Sequence, residues 1–452
     1  MNAVLRQRLT LAAGVTGAAV VALDGTVTTV AQPTLRRDLD ASFVQVQWIS
    51  TGYLIAVACL LVFAGRLGDR HGHRRVFALG VFGFALASAA LGLAPGIGWV
   101  IALRVVQGVF GALLQPATLG MLRAAYPPDR LGMPVALRTS AIGAAAALGP
   151  LLGGALITHF GWRWVFFLSV IPAVAAGAVA LAVRMPAPTS EVRLDLPGAG
   201  LLAVTLICLV HTLVALPGSG ATAATGLGVL CTTAACAAFV RHERRTAEPL
   251  IPPDVFRSTT VTSALGALVV VSAAMFGTLF LGTYYLQDVR GLDPLQSSLH
   301  ALPLALMMVA GAPLSTVLFR RFGPRRTVMA GAALVALATL LMSRLDRTSG
   351  SMAIGCCFLL LGAGFVAVMV TATAVLVRAA SVEVAGVSGG LQQTAMNIGP
   401  MLGVALATVF RPADVSTTGA ALLVLAAVAA LGALSATGLP ATSDDGRPAV
   451  RV

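Results

Sequence analysis

Two charged residues of this chain lie far inside long apolar runs. Asp24 interrupts the run from Leu9 to Val30, and Arg104 interrupts the run from Trp99 to Leu119. At a helical rise of ~1.5 Å per residue, Asp24 falls ~9 Å and Arg104 ~8 Å below the outer ends of their runs, so adjacent helices would hold them at one depth. An unpaired charge in hydrocarbon costs several kcal/mol. Both side chains must therefore face a protein interior, where carboxylate and guanidinium can neutralise each other. Such a pair is either a static structural tie or part of the working machinery, and spacing alone leaves both open.

Three further clusters carry information. The short connection Gly65-Arg66-Leu67-Gly68-Asp69-Arg70-His71-Gly72-His73-Arg74-Arg75 is strongly basic. Its arginines alone would serve as a topology anchor, but Gly65, Asp69 and Gly72 add tight-turn and close-approach demands that anchoring does not need. A run of small residues from Gly143 to Gly154 ends in Gly149-Pro150-Leu151-Leu152-Gly153-Gly154. Glycine lets helices approach closely and proline removes an internal hydrogen bond, so this segment can bend and slide against a neighbour. Finally, Gln392, Gln393, Thr394 and Asn397 form a polar patch on an otherwise apolar helix. They cover a broad face, which suits a cavity lining better than a lipid contact.

Some chemistries are excluded. All 30 basic residues are arginine, so no lysine is present for a Schiff base or a Walker motif. The six cysteines lie in apolar runs without disulfide or zinc-ligand spacing, and no cofactor fingerprint is present, so neither metal nor cofactor is expected.

The elements that must position these residues follow from composition. Of 452 residues, 58% are hydrophobic and 10% charged, against about 25% charged in soluble proteins, which excludes a soluble enzyme. Continuous runs of about 20 apolar residues exclude a β-barrel and predict membrane helices. Six runs lie between Leu9 and Val183, two more form a hairpin around Pro217-Gly218-Ser219-Gly220, and six follow from Val261 to Leu439, making fourteen spans. A net charge of +13 would point to nucleic acid in a soluble protein, but here the arginines sit in short gaps between spans and no nucleic-acid partner is expected. With the N-terminus inside, 22 arginines fall in inner segments and seven in outer gaps, which predicts both termini on the cytoplasmic side of the cell membrane.

The chain also repeats itself. Gly149-Pro150 with Gly153 recurs 250 residues later as Gly399-Pro400 with Gly403, and Arg70, Gly72, Arg74 and Arg75 recur as Arg321, Gly323, Arg325 and Arg326. Two motifs at nearly one spacing predict an all-α integral membrane fold of two duplicated six-helix bundles, 1–190 and 259–452, with an inserted hairpin and link, 191–258. Parallel duplication of this kind is a design of secondary transporters.

With these residues in view, the chain resembles the major facilitator superfamily. The Gly65 to Arg75 segment is similar to its signature loop, and the likeness extends across nearly the whole chain. Leu23-Asp24-Gly25-Thr26 with Pro33, Trp48 to Leu54, Arg104-Val105-Val106-Gln107-Gly108 and the Gly149 to Gly154 ending resemble motifs of its fourteen-helix drug:proton antiporter branch. The resemblance implies that Asp24 binds the proton, with Arg104 as its partner and Gln107 as a helper. It implies that Gly65, Asp69, Arg70, Gly72, Arg74 and Arg75 form a cytoplasmic conformational latch in which, in one conformation, arginines and a helix N-terminus hold the aspartate. Arg320 replaces the aspartate in the second copy. Gly149, Pro150, Gly153 and Gly154 would be the antiporter motif, and Gln392, Gln393 and Asn397 are candidates for a substrate cavity. The expected function is export of hydrophobic small molecules in exchange for protons by a monomer in the lipid bilayer. A transporter of one metabolite on the same scaffold is the alternative, and a membrane enzyme or sensor is the rival of another class.

Overall fold

The computed structural model describes residues 2–127, 130, 132–183, 195–219, 223–246, 249, 258–379, 385–409 and 415–441. The described residues are helical, in the order α1 Ala3–Asp38, α2 Phe43–His71, α3 His73–Gly92, α4 Ile97–Ala125, α5 Gly132–Phe160, α6 Arg163–Phe167, α7 Val170–Ala182, α8 Leu196–Ser219, α9 Ala223–Glu243, α10 Thr259–Tyr284, α11 Pro294–His300, α12 Leu302–Met342, α13 Ser351–Ala379, α14 Ala385–Val409 and α15 Val415–Ser435. Among the described residues ten segments are long and apolar enough to cross a membrane. One of them, Pro294–Met342, contains two of the runs expected as separate spans. Arg184, Arg193, Arg257, Arg411, Arg447 and Arg451, among the arginines whose distribution predicts the orientation, lie outside the described residues.

Local sequence explains where several helices begin. Ser42 caps α2 in a reciprocal box: its Oγ accepts from the Gln45 amide at 3.2 Å, and Gln45 Oε1 accepts from the Ser42 amide at 2.8 Å. Asp195 caps α8 by accepting from Gly198 N at 2.9 Å, while His242 Nε2 near the end of α9 lies 2.8 Å from the same oxygen. One carboxylate thus ties both arms of the hairpin.

The chain divides into two compact units. The first comprises Met1–Thr212, Ala221–Leu250 and Leu286–Leu299; the second comprises Leu213–Gly220, Ile251–Tyr285 and His300–Val452. Within the first, Val20, Val57, Phe77, Val81, Phe84, Leu114 and Ala117 belong to a continuous buried cluster drawn from α1, α2, α3 and α4. Within the second, Thr278 and Thr339 share a buried hydrogen bond of 3.0 Å between α10 and α12.

Two boundaries differ from the sequence expectation. Helix α1 continues past Val30 to Asp38 because Leu35 is fully buried, even though Pro33 withholds one backbone donor. The run from Trp164 to Val183 is two helices, interrupted at Leu168 and Ser169. The expected connection at Arg320 to Arg326 is a sharp bend at Gly323, with helix on either side. Gly323 has φ 79° and Gly72, its counterpart in the repeat, has φ 92°, a region in which a side chain is strained. Glycine recurs in the second copy because the second copy makes the same kind of turn.

Candidate functional site

Asp24 of α1 and Arg104 of α4 meet in the interior of the first unit. Arg104 Nη1 donates to Asp24 Oδ2 at 2.6 Å, and the residues are 1% and 2% exposed. Gln107, one turn along α4, does two jobs with its two polar atoms. Its Nε2 donates to Asp24 Oδ1 at 3.0 Å and to Ser88 Oγ at 2.7 Å, while its Oε1 accepts from Arg104 Nη1. Each carboxylate oxygen therefore has a donor, and the acid is held by one charged and one neutral partner.

Helix α2 supplies the rest of the shell. Arg104 Nε donates to the Ile49 carbonyl at 3.1 Å, and the guanidinium carbon lies 4.3 Å from the centre of the Tyr53 ring. A desolvated cation over an aromatic face gains about 2 kcal/mol. Four helices thus converge on one neutral cluster: α1 gives the acid, α4 the arginine and amide, α3 the hydroxyl and α2 the carbonyl and ring. Sequence reasoning placed Asp24, Arg104 and Gln107, and the structure brings all three together. It missed Ser88 and did not assign Tyr53 a role. The available signal for Ser88 was a lone hydroxyl in the apolar stretch of α3, and serine in such helices usually bonds its own backbone, as Ser88 also does to Phe84 O at 2.8 Å.

The small-residue motif on α5 lies against the same acid-bearing helix. A β-carbon at Gly149 would collide with the Thr26 side chain, and one at Gly153 would lie 2.8 Å from Val27 Cγ1. Thr26 and Val27 are two and three residues beyond Asp24, so α5 is locked onto α1 beside the ion pair. At Gly154 the added carbon would meet Pro294 O and Ser298 Oγ at 2.6 Å. The second copy packs the same way, with Gly399 and Gly403 against Ser272 and Ala273 of α10. The position 250 residues after Asp24 is Ala274, fully buried, so the second copy keeps the packing without the acid.

In the basic loop Asp69 lies against a histidine in this conformation: His73 Nε2, one turn on at the start of α3, is 3.0 Å from Asp69 Oδ1. The i, i+4 spacing across the Gly72 turn gives the imidazole the shorter reach. The arginines serve elsewhere, with Arg74 Nη1 donating to Val183 O at 2.9 Å and Arg66 Nη2 to Pro249 O at 2.7 Å, while Arg70 and Arg75 are exposed. Gly65 lies near Pro116 of α4.

In the second unit, Gln392 Nε2 donates to Thr373 Oγ1 of α13 at 2.7 Å, and buried Asn397 donates to the Gln393 carbonyl on its own helix at 2.7 Å. Gln392 and Gln393 are half-buried. Among the described residues no group of three or more His, Cys, Asp or Glu could hold a metal.

A membrane protein whose described elements are helices, with a carboxylate–arginine cluster enclosed among them, has the features of a secondary transporter. Comparison with known proteins sharpens this class: residues 14–404 match the family model described as Major Facilitator Superfamily, and the chain belongs to that superfamily. It is 42% identical over 400 residues to the tetracenomycin C resistance and export protein of Streptomyces glaucescens, covering 88% of this chain and 74% of that protein. It is 33% identical over 439 residues to the methylenomycin A resistance protein of Streptomyces coelicolor, covering 93% of this chain and 90% of the relative. A crystal structure of the peptide transporter POT in complex with sulfate superposes with a TM-score of 0.69 at 16% identity, covering 95% of this chain and 94% of that one, a likeness of fold alone. The fold and the relatives are those of transporters, which are not enzymes.

Proposed function

We propose that this protein exports hydrophobic small molecules, antibiotics among them, in exchange for protons, as a fourteen-helix monomer in the cell membrane with both termini in the cytoplasm. The observation that carries this reading is the enclosed cluster of Asp24, Arg104 and Gln107. A proton on Asp24 cancels the negative charge and releases the carboxylate from Arg104. The guanidinium then keeps the Ile49 carbonyl, the Gln107 amide oxygen and the Tyr53 ring, so it need not leave the interior. Loss of the charge pair loosens α1 from α4, and α5 follows α1 because the Gly149 and Gly153 contacts interlock the two helices. Deprotonation restores the pair and the first arrangement. In this reading the Gly65 to Arg75 loop is the latch, now with His73 as the partner of Asp69, and Gln392, Gln393 and Asn397 contribute to substrate contact. The names of the relatives support antibiotic cargo.

Proteoliposomes holding the purified chain and a fluorescent hydrophobic antibiotic test this directly. An imposed pH gradient should drive antibiotic movement coupled to proton counterflow. Movement indifferent to the gradient would overturn proton coupling. Transport of a single metabolite, with no antibiotic moved, would favour the narrow-specificity alternative.

A further inference from the structure

The second unit carries a groove that proton-coupled export leaves without a task. It encloses about 320 Å³ along α12 and against α13, with Met307, Leu314, Leu318, Phe322, Ala330 and Arg326 among its lining residues. Its two hydroxyl protons are already used, Ser315 donating to Gly311 O at 2.7 Å and Thr327 to Gly323 O at 2.8 Å. What remains is an apolar slot with one cation, Arg326, just past the Gly323 bend.

Shape and charge together select the occupant. From Met307 to Phe322 the groove follows α12 for ~22 Å at a helical rise of ~1.5 Å per residue. Spread over that length, the 320 Å³ makes a long, narrow slot, the shape of an extended chain and not of a compact molecule. The length is more than the ~15 Å that half of a bilayer's hydrocarbon core requires. At the polar end, Arg320, Arg321 and Arg326 are all exposed, and none pairs with an acidic side chain among the described residues. Arg321 lies over the Phe322 ring at 5.3 Å, beside the groove mouth. Basic pockets between membrane helices on the cytoplasmic side hold anionic headgroups.

We propose that this groove binds one anionic phospholipid, its phosphate on Arg326 with Arg320 and Arg321 flanking, and one acyl chain laid along α12 toward Met307. The site takes up membrane lipid, so it is distinct from the Asp24 cluster and does not depend on what the protein transports.

Native mass spectrometry of the full chain released from phosphatidylcholine nanodiscs containing graded phosphatidylglycerol tests the assignment. The wild type should retain one phosphatidylglycerol in preference to phosphatidylcholine. Arg326→Gln should weaken that retention about fivefold, the share of one arginine at a membrane surface, and Arg326→Lys should restore most of it. Ala330→Trp fills the slot from an exposed position and should abolish retention, whereas Arg344→Gln, exposed beyond the far end of α12, should change nothing. Equal retention of both lipids, or phosphatidylglycerol retained undiminished by Arg326→Gln, overturns the proposal. Displacement of the lipid by a transported antibiotic would make the groove a drug site and overturn it equally. If Ala330→Trp does not fold, the glutamine and lysine variants at Arg326 decide the matter.

Discussion

Replacing Asp24 with asparagine separates a working acid from a static tie. The variant keeps the side-chain shape and one carbonyl oxygen, so Gln107 Nε2, 3.0 Å from Asp24 Oδ1, retains an acceptor. The 2.6 Å contact with Arg104 loses its charge, leaving a guanidinium 1% exposed with no counter-ion. Removing one partner of a buried ion pair costs about 3–5 kcal/mol. Here the Ile49 carbonyl, the Gln107 oxygen and the Tyr53 ring still solvate Arg104, which puts the expected loss near the lower end, about 3 kcal/mol. Adding Arg104→Gln removes the orphaned charge and should recover most of that stability, a coupling that a double-mutant cycle on heat-resistant folded fraction in detergent would measure. Transport should behave differently. Both the single and the double variant should fail to move antibiotic in response to an imposed pH gradient, since neither has a proton site. Gradient-driven export at the wild-type rate by Asp24→Asn would refute the argument. A double variant no more stable than the single would show that the cluster is not an electrostatic unit.

Four other outcomes are expected. Ser88→Ala should cost about 0.5–1.5 kcal/mol by removing one partner of the Gln107 amide, and should slow proton-driven flux while leaving expression intact; unchanged flux would put Ser88 outside the working cluster. Gly149→Val should express but exchange slowly, because its side chain collides with Thr26; substrate counterflow at the normal rate would show that the α1 and α5 contact need not move. Asp69→Asn should change stability by less than about 1 kcal/mol, its contact with His73 being half exposed, while retaining antibiotic binding and slowing exchange; equal loss of binding and flux would count against a latch. In a cysteine-free background, Arg70→Cys and Arg321→Cys should both react with an impermeant label only from the cytoplasmic side, and labelling of either in intact cells would break the proposed topology.

Much of this was legible in the sequence. A charge in hydrocarbon is too costly to leave alone, so the sequence already turned Asp24 and Arg104 inward at one depth, where the structure shows them paired. Glycine at 72 and 323, and at 149 and 399, marks equivalent turns and helix contacts because backbone geometry there admits little else. The remaining partners were decided only by tertiary structure. Helices that are apolar all round carry no stripe to fix their rotation, so nothing in the order of residues says that α3 turns Ser88 toward Gln107, or that α2 lays the Tyr53 ring against Arg104. The Asp69 contact in this conformation follows from reach: the turn at Gly72 brings His73 to 3.0 Å. The groove beside α12 exists because two packed helices leave a slot that neither shows alone, with Arg326 at its mouth where the sequence showed only one more arginine in a basic loop.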